Sequence, residues 1–363
     1  MKKQDVLDAY RGRRVLVTGH TGFKGSWLTK ILLDAGAEVC GYSTCSPRSP
    51  RLFDLIGLEG QIRHVQGDVA DFGHLNRVFD EFQPEIVLHL AAQPIVRTSY
   101  REPRRTYESN VMGTVNVCEC VRLHDAVKSF LNVTTDKVYQ NKEWSWGYRE
   151  NEPLDGFDPY SNSKSCSELV THAYINSFFG QNAPEARVAV STARAGNVIG
   201  GGDFANDRII PDCVRAAEAG QPIVIRNPNS TRPYQHVLEP LFTYLTIAAV
   251  QESDHGKAGF YNVGPDECDC VTTGALVALF ARYFGEGFSA EIAPVDPTAP
   301  HEANFLKLDT SLVKATFGWK PTWHIEEAVE NTVEFSKAYL THADQAELTA
   351  VMERQICRFA GIE

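Results

Sequence analysis

The 363-residue sequence predicts an α/β protein built on a doubly wound parallel sheet, with a smaller α/β portion towards its C-terminal end. Three observations lead there. Short β-branched, apolar runs alternate with longer stretches of helical period through the first half; a glycine-rich turn joins the first run to the first helix; and the alternation breaks after about residue 196.

The segment 14–18 (Arg-Val-Leu-Val-Thr) reads as a short buried strand, and Trp27, Leu28, Ile31 and Leu32 mark one face of the helix that follows. Between them lie Gly19, Gly22 and Gly25, with Thr21 and Phe23 in the same turn. One glycine permits the tight bend, another lets backbone approach a pyrophosphate, and another lets the helix pack on the sheet, so the turn is a dinucleotide-binding candidate. Its spacing is G-x-x-G-x-x-G rather than G-x-G-x-x-G.

Strand-like runs follow at 38–42, 62–66, 86–90, 129–134 and 187–193, with helical patterns at about 75–82, 106–123 and 161–179. Right-handed crossovers wind such a chain into a Rossmann-like sheet whose ligand lies beyond the carboxyl ends of the strands. At those ends stand Ser43 after the second strand and Asp68 with Val69 after the third. Leu90, Ala91, Ala92 and Gln93 close the fourth, and Thr135, Asp136 and Lys137 the fifth. Tyr160 and Lys164 begin the next helix, where positions i and i+4 share a face. An ammonium held there favours the charged form of a nearby phenol, so the tyrosine can act as a base towards an alcohol.

A NAD site usually offers an acidic residue after the second strand. Here that strand ends in Gly41-Tyr42-Ser43-Thr44 with Arg48 nearby, which leaves NAD and NADP both open on the residues.

The length favours two portions: residues 1–195 for the dinucleotide and the catalytic groups, and residues 196–363 mainly for substrate, with a soft boundary and with Tyr261-Asn262-Val263 as a possible strand returning to the main sheet. A net charge of −11 argues against general affinity for nucleic acid or anionic membrane. No apolar run reaches membrane-spanning length and Met1-Lys-Lys-Gln-Asp leads into no signal-peptide core, so the expected compartment is the cytoplasm. Nine scattered cysteines without C-x-x-C fit reducing conditions. Neither the close pairs Cys118/Cys120 and Cys268/Cys270 nor the eleven histidines form a metal pattern, and no metal is expected. Trp144, Trp146 and Tyr148, interleaved with charges, are expected to shape a loop over the substrate.

The segments Gly19-x-x-Gly22-Phe23-x-Gly25, Gly67-Asp68, His89-Leu90-Ala91-Ala92, Asn110-Val-x-Gly113-Thr and Tyr160-x-x-x-Lys164 resemble the extended short-chain dehydrogenase/reductase superfamily. Within it the chain is similar to nucleotide-sugar 4,6-dehydratases, and most of all to those acting on CDP-glucose. The strings that carry this are Gly19 to Trp27, Thr135-Asp-Lys137, Glu143 to Glu150, Arg194 to Asp203, Asp207 to Asp212 and Arg232-Pro-Tyr-Gln-His236. The resemblance implies tightly held NAD, CDP-glucose as substrate, and a homodimer formed through a four-helix interface from the 106–123 and 161–179 helices. It also implies an internal redox cycle, with oxidation at C4, loss of water across C5–C6 and hydride return to C6.

By the same resemblance Tyr160 takes the 4-hydroxyl proton, Thr135 holds that hydroxyl and Asp136 protonates the departing 6-hydroxyl. Lys137 stands where dTDP-glucose dehydratases have a glutamate that removes the C5 proton; it acts as that base only if its pKa is strongly lowered, and otherwise as an electrostatic stabiliser. The turn glycines, Asp68, Val69, Leu90, Ala91, Ala92 and Asn110 are expected at the cofactor, and Gln93, Asn197, Arg208, Arg232, His236 and Glu302 at the substrate. The competing readings are another nucleotide-sugar dehydratase or 4-epimerase, and, more distantly, a non-catalytic dinucleotide sensor.

Overall fold

A computed structural model describes residues 2–44, 50–180, 188–293 and 305–362. Seven parallel strands form the main sheet: β1 (Arg14–Thr18), β2 (Glu38–Ser43), β3 (Arg63–Gln66), β4 (Ile86–His89), β5 (Ser129–Thr135), β6 (Ala189–Ala195) and β7 (Phe260–Val263). Their order is β7-β6-β5-β4-β1-β2-β3. The chain thus leaves β1 in both directions, and a crevice opens between β1 and β4 at the strands' carboxyl ends.

The runs predicted from the sequence account for six of these strands, and the possible returning strand at 261–263 for the seventh, β7. β5 and β4 are buried along their whole length, as strands covered on both faces must be. On one face lie α1 (Phe23–Asp34) and, from much later in the chain, a helix at Leu238–Ser253; Trp27, Leu28, Ile31, Val133, Leu241 and Tyr244 fill that layer. On the other lie α2 (Phe72–Phe82), α3 (Gly113–Leu123) and α4 (Pro159–Tyr174), with Leu75, Phe79, Val117, Val121 and Phe130 between them and the sheet. The helix expected over 106–123 is interrupted: a short helix at Pro103–Tyr107 passes through a widened π turn at Glu108–Met112 before α3. Inside that turn Asn110 is fully engaged, accepting from Gln93 N at 2.8 Å and donating to Gln93 O at 3.1 Å and Ser163 Oγ at 2.8 Å.

After β6 the chain builds short strand pairs, 198–199 with 235–236, 231–233 with 270–272, and 223–225 with 290–292. With helices α5 (Ile209–Ala219), α6 (Thr273–Phe284) and α7 (Ile325–Leu340) they enclose a separate apolar cluster around Ile210, Val214, Ile225, Leu276, Phe280 and Val329. Between these elements the chain returns to the main sheet through the 238–253 helix and β7, whose Tyr261 and Asn262 pair with Ala193 and Arg194.

A buried ion pair ties the sheet to α4. Arg194 Nη2 lies 3.0 Å from Glu168 Oε2, with both side chains almost wholly buried, and Glu168 also accepts from the hydroxyls of Thr134 and Thr192. Arg194 Nη1 donates to Tyr139 Oη and Glu150 O. Removing one member of such a pair strands the other charge, so Glu168→Ala should cost about 3–5 kcal/mol in equilibrium urea unfolding. A loss below 1 kcal/mol would show that water reaches Arg194 and that the pair does not fix α4.

Candidate active site

A cavity of about 440 Å³ opens at the carboxyl ends of the strands, between the sheet and the later portion. Its walls include Phe23 and Lys24 from the glycine turn, Thr135, Asp136 and Lys137 after β5, Tyr160 on α4, and Asn197, Arg208 and Arg232. Seven residues from separate stretches of the chain, named on sequence grounds as catalytic or substrate-binding, therefore line one cavity: Thr135, Asp136, Lys137, Tyr160, Asn197, Arg208 and Arg232.

The dinucleotide turn is shaped as its spacing implies. Gly19 has φ +76°, and a Cβ there would come 2.8 Å from Ala91 N, while one on Gly25 would come 2.2 Å from Gly19 O. Gly22, which caps α1, would meet nothing nearer than Gly19 O at 3.3 Å. Two glycines serve close packing and the third leaves the helix end open, a cradle that fits a pyrophosphate on the positive end of a 12-residue helix. At the end of β2, Ser43 Oγ and Thr21 Oγ1 are 2.6 Å apart; Arg48 lies outside the described residues. Asp68 accepts from Ala70 N at 2.9 Å and pairs with Arg105. Leu90 N and Ala91 N are held by Thr18 O and Thr18 Oγ1, which fixes the segment after β4 across the mouth of the turn, with Ala92 following. Val69 is buried against Gly113, and Asn110 spends its hydrogen bonds on Gln93 and Ser163.

Tyr160, expected to be catalytic, is set by the start of α4. Pro159 occupies its first turn and Asp158 caps it, accepting from Ser161 N and Ser161 Oγ, so the helix begins one residue before Tyr160. Tyr160 is 8% exposed. Burial pushes its phenol up to about 12, against a hydrogen bond with Thr135 that acts in the opposite sense. This corrects the expectation that Lys164 lowers it here: Lys164 Nζ donates to Val133 O at 3.0 Å, and burial brings its own ammonium down to about 8.

Thr135 Oγ1 donates to Asp136 Oδ1 at 2.9 Å. Asp136 is wholly buried, and its second oxygen, Oδ2, has no hydrogen-bond partner among the described residues. Lys137 Nζ donates to Asp136 Oδ1 at 3.1 Å and to Asn197 Oδ1 at 3.3 Å. Arg208 pairs with Asp203 at 2.8 Å, and that carboxylate holds the guanidinium firmly charged.

Two expected substrate contacts, His236 and Gln93, fall elsewhere. His236 is fully buried between the rings of Trp27 (5.9 Å) and Trp323 (4.8 Å) and forms no part of the cavity wall. Gln93 turns its side chain back on Ile95 and Thr106, bracing the segment that carries Pro94 to Arg97 to the cavity. Glu302 lies outside the described residues. The aromatic segment is likewise no covering loop. Tyr148 is buried and stacked with Tyr139 at 5.3 Å and Trp144 at 5.6 Å in a small core with Val138 and Leu306, and only Trp146 stands well exposed; Asn141 and Glu143 reach the cavity in their place. Cys268, Asp269 and His324 place ligand-type atoms within 4.8 Å of one another, a closeness not foreseen from the sequence. Asp269 already bonds His324 Nδ1 and caps Ile325 N at the start of α7.

Sequence reasoning named no role for Lys24. The available signal was a charged residue inside a turn that otherwise leads into eight consecutive buried positions, Gly25 to Leu32.

The sheet order, the open helix end and the tyrosine–lysine pair define a dinucleotide-dependent enzyme of the short-chain dehydrogenase/reductase kind, to which Asp136 and Lys137 add groups able to assist an elimination. The chain belongs to the GDP-mannose 4,6 dehydratase family, which it matches over residues 16–332. It is 46% identical over 337 residues to the CDP-glucose 4,6-dehydratase of Salmonella typhimurium, covering 92% of this chain and 93% of that protein. The dTDP-glucose 4,6-dehydratase of Xanthomonas campestris pv. campestris is 28% identical over 346 residues, covering 90% and 93%. Among solved structures, the UDP-glucose 4-epimerase of Thermotoga maritima with UDP-glucose has a TM-score of 0.77 at 22% identity, covering 90% of this chain and 99% of that one. The dTDP-glucose 4,6-dehydratase of Bacillus anthracis in complex with NAD has a TM-score of 0.73 at 20% identity, covering 90% and 97%. These last two establish the fold.

Proposed function

We propose that the protein is a CDP-glucose 4,6-dehydratase, a hydro-lyase that converts CDP-glucose to CDP-4-keto-6-deoxyglucose. The observation that carries this reading is the meeting of Tyr160 with the pair formed by buried Asp136 and partly exposed Lys137 in one cavity, in a chain 46% identical to an enzyme of that name. A 4-epimerase has no use for an elimination pair.

NAD is the cofactor, held by the turn Gly19–Gly25, Ser43, Asp68 and the segment 90–92; when bound it supplies the acceptor and later the donor of the hydride. Tyr160 Oη takes the proton of the 4-hydroxyl, which Thr135 orients from beside it. The new carbonyl makes C5–H acidic, and the Lys137 ammonium stabilises negative charge as it develops on the ketone oxygen. Asp136, a carboxylate beside Lys137 in the free protein, takes up a proton as CDP-glucose binds and gives it to the departing 6-hydroxyl from Oδ2, the oxygen left without a partner. Arg208, Arg232 and Asn197 bind the substrate's diphosphate end, where guanidinium groups pair phosphate oxygens bidentately.

The working division follows the chain, with residues 1–195 for cofactor and chemistry and 196–363 mainly for substrate. We infer a homodimer through α3 and α4, supported by the exposed Met112, Leu123, Leu169 and Phe178 on or beside these two helices, and a cytoplasmic location, supported by the cysteine usage of the sequence. Among the described residues no helix is long and apolar enough to cross a membrane.

The test is a substrate panel without added reductant. Purified enzyme should turn over CDP-glucose to a 4-keto-6-deoxy sugar at least 100-fold faster than GDP-mannose or dTDP-glucose. A preference for either of those assigns the chain to a different nucleotide.

A further inference from the structure

Once C4 is oxidised, a group must take the proton from C5; two amines, Lys24 and Lys137, line the cavity, and a third, Lys164, is buried one helical turn beyond Tyr160. Lys137 Nζ is committed to Asp136 and Asn197 as the cation of an ion pair. Lys164 Nζ is committed to Val133 O in the buried floor beneath Tyr160. Lys24 is different. It enters from the second residue of α1, lines the same cavity as Asp136, Tyr160 and Arg208, and has no hydrogen-bond acceptor or ion-pair partner among the described residues; the ring centroid of Tyr244 lies 5.9 Å from its Nζ. Three like charges, Arg208, Lys164 and Lys137, face it against the single carboxylate of Asp136. Burial, the larger cause, and this crowding bring its ammonium down to about 7. An amine in that position has its lone pair available at neutral pH, whereas an ammonium locked to a carboxylate does not.

We propose that Lys24 is the base that removes the C5 proton and later returns it, while Lys137 stabilises the enolate. The proposal rests on the dehydratase reading given above. In the step, the C5–H bond breaks, its electron pair forms the C4–C5 double bond of the enolate, and an N–H bond forms on Lys24. The enolate then collapses to the ketone, C5 and C6 become doubly bonded, the C6–O bond breaks, and the oxygen leaves as water with the proton from Asp136. When the hydride held since C4 oxidation reaches C6, the enolate forms again and Lys24 gives its proton back to C5.

The experiment follows deuterium uptake from solvent at C5 in cofactor-loaded enzyme with CDP-glucose. Wild-type exchange should rise with pH through about 7, because the unprotonated amine is the active form. Lys24→Met should keep cofactor reduction on substrate addition, lose exchange by about 100-fold or more, and lose that pH limb. Lys137→Met should keep the limb whatever its rate. Survival of the limb in Lys24→Met, or its loss only in Lys137→Met, overturns the proposal, as does a Lys24→Met protein that no longer retains cofactor. A second readout needs no variant and no turnover: methylation of lysines across a pH series, followed by mass spectrometry, should show Lys24 becoming reactive with a midpoint near 7. A midpoint near 10 overturns the proposal. Failure of the wild-type protein to reduce its cofactor with CDP-glucose is a separate result, which removes the dehydratase reading and this proposal together.

Discussion

Tyr160→Phe lowers the rate of C4 oxidation by about two to four orders of magnitude, the usual worth of a lost general base, and leaves the protein folded and cofactor-loaded. The substitution deletes one hydroxyl from a ring that is already packed at 8% exposure, so the start of α4 and the Asp158 cap persist. Single-turnover mixing with CDP-glucose, followed by nicotinamide absorbance, reads the oxidation step alone. Near-normal amplitude and rate in that trace would remove Tyr160 from the chemistry. In the protein without ligands the phenol stands at about 12, so a difference titration of wild type against Tyr160→Phe should show the phenolate appearing well above the range of ordinary tyrosines. Activity near neutral pH then requires the bound ligands, including the positive charge of the oxidised nicotinamide, to favour the phenolate.

Asp136→Asn should separate the two halves of the cycle. Asparagine keeps the shape and can still accept from Thr135, but it cannot hand a proton to the departing 6-hydroxyl. Oxidation at C4, which needs Tyr160 and the nicotinamide, should survive within about tenfold, while product forms roughly 100- to 1,000-fold more slowly, the scale of one lost acid. The signature is reduced cofactor that accumulates after CDP-glucose is added and decays slowly. If Asp136→Asn abolishes reduction in a folded, loaded enzyme, the residue belongs to oxidation or to substrate placement, and Oδ2 is not the acid.

Much of the fold was readable because each strand and its following helix announce themselves locally: period-two and period-3.6 patterns, a glycine turn, and Pro159 with Asp158 at the head of α4. Tyr160, Lys164, Thr135, Asp136 and Lys137 were readable for the same reason, since strand ends and first helical turns are local features. What escaped depends on partners distant in the chain. His236 sits in a string shared with Arg232, yet its burial is decided by Trp27 and Trp323, about 200 residues before and 90 after it. Gln93 looked like a pocket residue until Asn110 and Thr106 claimed it. The raised phenol of Tyr160 was missed because the i, i+4 rule brings Lys164 onto the same face but says nothing of Val133 O, which takes its ammonium. Lys24 was invisible as chemistry because its surroundings come from β5, α4 and the segment before α5, none of them adjacent in sequence.

The return of the chain to the main sheet also governs how the protein is made. β6 is an inner strand only once β7 has paired with it, and the layer over β5 and β6 closes only when the 238–253 helix arrives. A ribosome that has just released residue 195 has roughly 70 residues still to translate before β7 is complete, about 3 to 14 s at ordinary elongation rates. Through that interval the nascent chain carries a bare strand edge beside an uncovered apolar face, which is the kind of surface that recruits other strands. Conditions that slow translation between residues 196 and 263 therefore lengthen the most aggregation-prone stage of its biogenesis.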